Sequence, residues 1–293
     1  MGATLSHCKL CELEDFADPE LRGLIREIFA ADRARFGDDF PAGREYRKYW
    51  EVAMTARALR EGGALRADAE VLGVGAGHEA TLFWLTTQVA RVFATDLYLA
   101  DDRWSQSDSS PEMLTDPGRY WSGSWKPRRL VVQHMDALDL RYEEDSFDAI
   151  FSSSSIEHFG APAEVRRSVE EMFRVLKPGG VLALATEFRL EGPPPGLEGV
   201  LLFDREQIES LLLEDLGWSP LSALDSSISD ATLATEQPLA DAVGELLAHA
   251  RDADPAEPIQ WSRYPHIVLR HEDHLFTSVH VALRKRPPAP PAR

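Results

Sequence analysis

The period of apolar residues changes along the chain. Leu21, Leu24, Ile25, Ile28 and Phe29 recur at helical steps, and Tyr46, Tyr49, Trp50, Ala53, Met54 and Leu59 repeat that spacing. Both runs predict helices, the second stopped by Gly62 and Gly63. From Glu70 onward short branched-apolar runs alternate with helical ones. Strands are predicted at Val71–Val74, Ala90–Thr95, Leu130–His134, Phe147–Ser152 and Val181–Thr186, with helices over His78–Gln88 and Pro162–Leu176. This alternation predicts an α/β fold: a mostly parallel sheet with helices on both faces. Right-handed crossovers gather the strand exits along one edge, where ligands of such sheets bind.

The remaining segments are less regular. Leu99 to Arg129 is polar and turn-rich, with Trp104, Trp121 and Trp125 spread through it. It reads either as a functional loop or as a surface excursion anchored by its tryptophans. Gly192-Pro193-Pro194-Pro195-Gly196 is a rigid turn, and Asp204 is placed to cap a following helix. Residues 221–256 read as a largely helical, acidic insertion. His266–Arg270 and Phe276–Leu283 are expected to pair antiparallel across a Glu272-Asp273 turn, and Arg284–Arg293 to form a frayed, basic, Pro-rich tail. The division expected is a helical cap region over 1–66, a main domain over 67–283 with a substrate-side loop and insertion at 187–265, and the tail at 284–293.

Composition narrows the function. With 293 residues, 44% of them hydrophobic, the chain can bury one large core. Asp and Glu number 49 against 31 Lys and Arg, a formal charge of -18, which disfavours phosphate backbones and anionic lipid. No nucleic acid and no membrane are therefore expected as partners; a homo-oligomer is compatible with the sequence. Cys8 and Cys11 stand in a C-x-x-C spacing without a second pair and read as incidental thiols of a reducing, cytoplasmic protein. No apolar run reaches the roughly 18 residues of a membrane span, and the N-terminus lacks a leader pattern. His266, His271, His274 and His280 do not match a zinc spacing, so no metal is expected.

The chemistry concentrates at "VLGVGAGHE", residues 71–79, where Gly73, Gly75 and Gly77 follow a strand and precede an apolar helix. Such glycines let main chain and ligand approach closely, and helix-start N–H groups favour negative charge. The second strand ends at Asp96, nineteen residues after Gly77, a spacing suited to a carboxylate that accepts ribose hydroxyls. At the third strand exit, Asp136 could bond an adenine amino group while Met135 and Ala137 cover the ring. A dinucleotide binder and a nucleoside-sulfonium binder both remain open, and the third exit favours adenosine laid across three strand ends.

In this order of motifs the chain resembles class I S-adenosylmethionine-dependent methyltransferases of the bacterial small-molecule type. "VLGVGAGHE" resembles their first motif, Asp96 the ribose-binding acid, Met135-Asp136-Ala137 the adenine stretch, and "VEEMFRVLKPGGVLALATEF" the segment leading into the fifth strand. The resemblance implies a Rossmann-like seven-stranded, mostly parallel sheet with a C-terminal antiparallel strand, plus the N-terminal helices and helical insertion. It implies S-adenosyl-L-methionine as cofactor, held by Gly73, Gly75, Gly77, Glu79, Asp96, Leu97, Met135, Asp136, Ala137 and Ser153. The family usually has an acid where Gly73 stands and often a glycine where Glu79 stands; Glu79 either compensates by charge or caps the helix.

His158, in the Ser152–Phe159 loop after the fourth strand, is the candidate base or acceptor-orienting group. Glu157 either binds a cationic acceptor or holds that loop. Tyr46 and Trp50 are candidates for the acceptor wall, the alternative being core. The function implied is methyl transfer to an oxygen or nitrogen of a small molecule such as a natural product or sugar. The rivals are a protein or peptide methyltransferase and a non-enzymatic adenosyl-binding or interaction protein.

Overall fold

The computed structural model describes residues 5–99, 110–214, 216–242, 244 and 265–287. The chain begins with β1 (Lys9–Leu10), α1 (Pro19–Ile28), α2 (Ala30–Phe36) and α3 (Arg47–Glu61). Then follow β2 (Glu70–Val74), α4 (Ala80–Gln88), β3 (Arg91–Asp96), β4 (Leu130–His134), β5 (Phe147–Ser153), α5 (Pro162–Val175) and β6 (Leu176–Glu191). A small ribbon of β7 (Gly196–Leu197) and β8 (Val200–Leu201) leads to α6 (Arg205–Ile208), β9 (Trp218–Pro220), α7 (Asp230–Leu233), β10 (Gln237–Pro238), β11 (Leu269–His271) and β12 (His274–Lys285).

The main sheet runs β10-β11-β12-β6-β5-β2-β3-β4, with β1 and β9 also on β12, and so exceeds the seven strands expected. Strands β6, β5, β2, β3 and β4 are parallel neighbours, while β12 is antiparallel to both β6 and β11. From β2 the chain moves outward to β3 and β4, then returns to the other side of β2 for β5 and β6. That reversal opens a crevice between the exits of β2 and β5.

Strand alternation sorts the core onto two faces. Val71, Val92, Phe151 and Ala183 pack with Leu21, Ile25, Trp50, Met54, Leu82 and Phe83 of α1, α3 and α4. Their neighbours Leu72, Ile150 and Leu182 face the other way and pack with Val165, Val169 and Met172 of α5. The N-terminal helices are therefore one layer of the main sandwich, because α3 lies over the sheet and buries almost every side chain.

Several elements differ from expectation. β6 continues five residues past Thr186, since β12 pairs with it from Val181 to Glu191, while Arg47 and Arg189 engage the acids Glu187 and Asp204 there. Between residues 221 and 238 only the single turn of α7 and the short β10 are regular, whereas residues 239–242 and 244 of the expected helical insertion are helical; its residues 243 and 245–256 lie outside the described residues. The antiparallel pair forms as β11 and β12 across Glu272-Asp273, with Glu272 at a left-handed φ of 50°. Arg284 and Lys285 complete β12 instead of fraying, bonding the carbonyls of Gly179, Gly62, Phe173 and Leu176; residues 288–293 lie outside the description.

Residues 100–109, including Trp104, likewise lie outside it, but the stretch after them folds back on α4. Trp121 stacks on Phe83 at 5.4 Å, Trp125 meets the same ring edge-on at 5.3 Å, and Tyr120 stacks on His78 at 4.5 Å. Arg129 turns inward and donates to the carbonyls of Thr86 and Val89 at the end of α4.

Trp50 has no exposed surface and its indole N–H donates to Asp15 at 2.8 Å. Truncating so large a core side chain leaves a cavity costing about 3–5 kcal/mol. Trp50→Ala is accordingly expected to lower the unfolding free energy in urea by that amount. An unchanged unfolding midpoint with altered acceptor affinity would instead put Trp50 in a binding wall.

Candidate active site

The turn after β2 is shaped first by packing. A β-carbon on Gly73 would come within 2.7 Å of the Phe151 ring and 2.9 Å of Ala76, so no side chain fits there. On Gly75 it would lie 2.7 Å from Ser155 and 3.0 Å from Phe159, and the backbone there is left-handed at φ 61°. Both glycines thus admit the β5 exit loop against the β2 turn, where the sequence suggested only approach to a ligand. Ser155 Oγ closes the joint by donating to the Gly75 carbonyl.

Gly77, also left-handed at φ 46°, faces β3. Its N–H donates to Asp96 Oδ2 at 2.8 Å, and its carbonyl accepts from the Tyr98 hydroxyl at 2.7 Å. Asp96 Oδ1 accepts from the N–H of Leu97 at 2.6 Å. A carboxylate oxygen has more than one acceptor site, so Asp96 is oriented by these bonds and keeps capacity for further donors. Met135 and Ala137 pack their inner sides against the α5-side core, and Met135 N–H donates to the Asp96 carbonyl at 3.0 Å. Asp136 is exposed, its Oδ1 accepting from Leu138 N–H at 2.8 Å. The glycine turn, Asp96, Leu97 and the 135–137 stretch therefore stand along neighbouring strand exits.

On the far side of β2 the structure assembles charged residues for which the motif reading had no place. Arg47 of α3 bonds Glu187 of β6 and, at 2.9 Å, the hydroxyl of Ser278 on β12; that hydroxyl in turn donates to Glu51. Lys48 reaches Glu51 at 2.9 Å, Glu187 at 3.3 Å and the hydroxyl of Ser154. Burial opposes ionisation of Glu187, but Arg47 and Lys48 outweigh it and hold its pKa down at about 2. Burial and Arg47 likewise work against the charge of Lys48, yet Glu51 and Glu187 raise its pKa. Ser154, whose Oγ donates to Glu51 at 2.6 Å, sits at a left-handed φ of 50°. Such a conformation in a non-glycine residue is held only where its surroundings fix it. A signal for this network exists in the sequence: Arg47 and Glu51 are four residues apart on a helix whose neighbours are aromatic and apolar.

Glu79 opens α4, but its carboxylate makes no capping bond. Its Oε1 and the hydroxyls of Thr81 and Ser153 are sealed from solvent in one corner, where burial and then Glu51 hold the Glu79 pKa well above the ordinary carboxylate range and the two hydroxyls lower it in part. Their position beside the β2 and β5 exits fits the polar amino-acid end of S-adenosylmethionine, while Asp96 and the 135–137 stretch fit its nucleoside end.

Of the acceptor-side candidates, His158 remains partly exposed, with Nδ1 3.2 Å from the Gly199 carbonyl. Glu157 is buried, accepts from Thr186 Oγ1 at 2.7 Å and has its pKa raised by burial, so it holds the loop to β6. Tyr46 is buried edge-on against Tyr49 and His266. Trp50 is core, so the suggested wall of Tyr46 and Trp50 is corrected to a packed layer. His274 Nε2 contacts the Pro193 carbonyl at 2.9 Å, and His280 Nδ1 contacts the His7 carbonyl at 2.6 Å. A separate groove of about 220 Å³ lies on the opposite edge, where Arg66 and Lys177 are both paired with Asp148.

Comparison with known proteins agrees with this arrangement. Residues 72–184 match the family described as "Methyltransferase domain". The chain is 31% identical over 146 residues to erythromycin 3''-O-methyltransferase of Saccharopolyspora erythraea, covering 49% of this chain and 43% of that one. It is 31% identical over 163 residues to demethylmenaquinone methyltransferase of Clavibacter sepedonicus, covering 56% and 57%. The matched stretch thus spans about half the length of these curated relatives. In structure, the [4+2]-cyclase SpnF superposes with a TM-score of 0.51 at 21% identity, covering 81% of this chain and 82% of that one, a likeness of fold alone. Strand order, the glycine turn with Asp96 beside it, and the family match together give residues 72–184 as a methyltransferase domain of the class I S-adenosylmethionine-dependent type.

Proposed function

We propose that the protein transfers a methyl group from S-adenosylmethionine to an oxygen or nitrogen of a small molecule, with a natural product or sugar-bearing metabolite as the acceptor class. The observation that carries this reading is the joint at the β2 and β5 exits, which brings the Asp96 rim and the His158 loop to opposite sides of one crevice. The printed names of the curated relatives, an antibiotic O-methyltransferase and a quinone methyltransferase, support a small acceptor. No helix among the described residues is long and apolar enough to cross a membrane.

When bound, the cofactor supplies an electrophilic methyl group on a sulfonium, whose departure as a neutral thioether needs no covalent help from the protein. The task left to this chain is alignment, since placing the acceptor in line with the methyl carbon and sulfur contributes much of the acceleration. Asp96, fixed by Gly77 and Leu97, would hold the ribose. Met135, Asp136 and Ala137 would bound the adenine, and Ser153 and Glu79 would face the amino-acid end.

A hydroxyl or ammonium acceptor must also lose a proton, and His158 is the group proposed to take it. With Nδ1–H directed at the Gly199 carbonyl, the neutral ring carries its lone pair on Nε2. The β7–β8 ribbon that provides Gly199 thereby sets the orientation of the ring. Glu157 does not contact the acceptor in this account; it anchors the loop through Thr186.

Two variants test the separate roles. Asp96→Ala is expected to weaken binding of S-adenosylhomocysteine by about 10- to 100-fold, the worth of hydrogen bonds to a charged group; an unchanged dissociation constant in calorimetry removes Asp96 from the ribose site. His158→Gln is expected to lower kcat by about 100-fold or more, as for loss of a general base, while cofactor affinity stays within about twofold. Unchanged turnover would dismiss the histidine as base.

A further inference from the structure

Between the end of β5 and His158 the chain passes through one residue of unusual backbone. Ser154 stands at a left-handed φ of 50°, a region that a residue with a β-carbon enters only against steric resistance. Its N–H still donates to the Ala185 carbonyl at 2.8 Å, as the last rung between β5 and β6. Immediately afterwards the chain turns, so that Ser155 bonds the Gly75 carbonyl and Ile156–His158 forms a short helical turn. The backbone of residue 154 therefore sets the direction in which His158 leaves the sheet.

What holds that conformation comes from the helical layer. The Ser154 hydroxyl donates to Glu51 at 2.6 Å and accepts from the ammonium of Lys48, both on α3. Lys48 itself is held by Glu51 at 2.9 Å and Glu187 at 3.3 Å, and Glu51 accepts in addition from Ser278. One hydroxyl is thus met from two fixed points by charge-assisted bonds, which are the strong ones. Glu51 is buried and Lys48 partly buried, so water competes poorly for the grip. The other ties of the loop, Ser155 to Gly75 and Glu157 to Thr186, anchor it to β2 and β6 further along. The pair on α3 acts on the residue whose torsion aims the loop.

We propose that Lys48 and Glu51 are positioning residues of the methyl-transfer site: by gripping the Ser154 hydroxyl they keep that residue left-handed and so aim the loop that carries His158. The assignment rests on His158 facing the acceptor. Neither residue touches the reacting atoms; both act through the backbone, which persists in a costly conformation only because its surroundings fix it. Glycine adopts left-handed angles without such a grip, and that separates this role from a direct effect of the lysine's charge.

NMR of the protein carrying ring-labelled histidine tests this, with the His158 signal assigned by its loss in His158→Gln. Lys48→Met and Ser154→Ala are each expected to shift or split the His158 signal, while Ser154→Gly leaves it at the wild-type position. The double variant Lys48→Met/Ser154→Gly is expected to restore that position although the lysine's charge is still absent. Calorimetry with S-adenosylhomocysteine is expected to give dissociation constants within about twofold of wild type for all four variants. An unmoved signal in Ser154→Ala overturns the proposal; that arm keeps every charge in place and decides even if Lys48→Met fails to fold. A double variant that stays displaced also overturns it, because the lysine then acts on His158 directly or on the fold at large. A loss of affinity of about tenfold or more in Lys48→Met would place the lysine in the cofactor site instead. Failure of the underlying reading is seen separately, since unchanged turnover of His158→Gln removes the base but leaves these shifts as they are.

Discussion

The site depends on how closely the β5 exit loop can approach the turn after β2. Ser155 and Phe159 occupy the space of the missing Gly75 side chain, Phe151 occupies that of Gly73, and Ser155 bonds the Gly75 carbonyl. Any side chain at either glycine would push these elements apart. Because the loop is held there, His158 on one rim and Asp96 on the other are set by rigid parallel strands. Chemistry that works by alignment needs this rigidity more than it needs a reactive protein group.

Charge on the far rim follows a second constraint. Arg47 and Lys48 are drawn under the crevice by Glu51 and Glu187, from α3 and β6, with Ser154 and Ser278 filling the remaining hydrogen bonds. A buried pair of this kind is costly to assemble and costly to break, so its value here is positional: it ties the N-terminal helical layer to the strand exits. Glu79 and Glu157 add two more acids whose pKa values burial raises. The chain thus concentrates carboxylates where a sulfonium and an ammonium would arrive, consistent with binding a cationic cofactor.

Much of the sheet was legible because its strands are short apolar runs punctuated by glycine and proline, and Val71/Leu72 alternation assigns the two faces directly. The position of Asp96 at the end of the second strand was readable from the strand pattern, and its contact with Gly77 follows from the parallel register of β2 and β3. The charged network was harder to see because its members come from residues 47–51, 154, 187 and 278, brought together only by strand crossing. Trp50 misled because an aromatic helix face looks the same whether it lines a pocket or a core; its bond to Asp15 decides between them. The 221–238 stretch misled for a different reason. Its acidic, Leu- and Ala-rich composition suits a helix, yet Leu221, Asp225 and Gln237 give their N–H groups to Ala282, Cys8 and Val268, tying the segment down as extended chain.

A crystal structure of the protein with S-adenosylhomocysteine tests the placement of the cofactor most directly. The nucleoside is expected across the exits of β2, β3 and β4, with the ribose hydroxyls on Asp96 and the amino-acid end directed toward Glu79 and Ser153. A nucleoside bound elsewhere, or those exits closed by protein side chains in the complex, would contradict it.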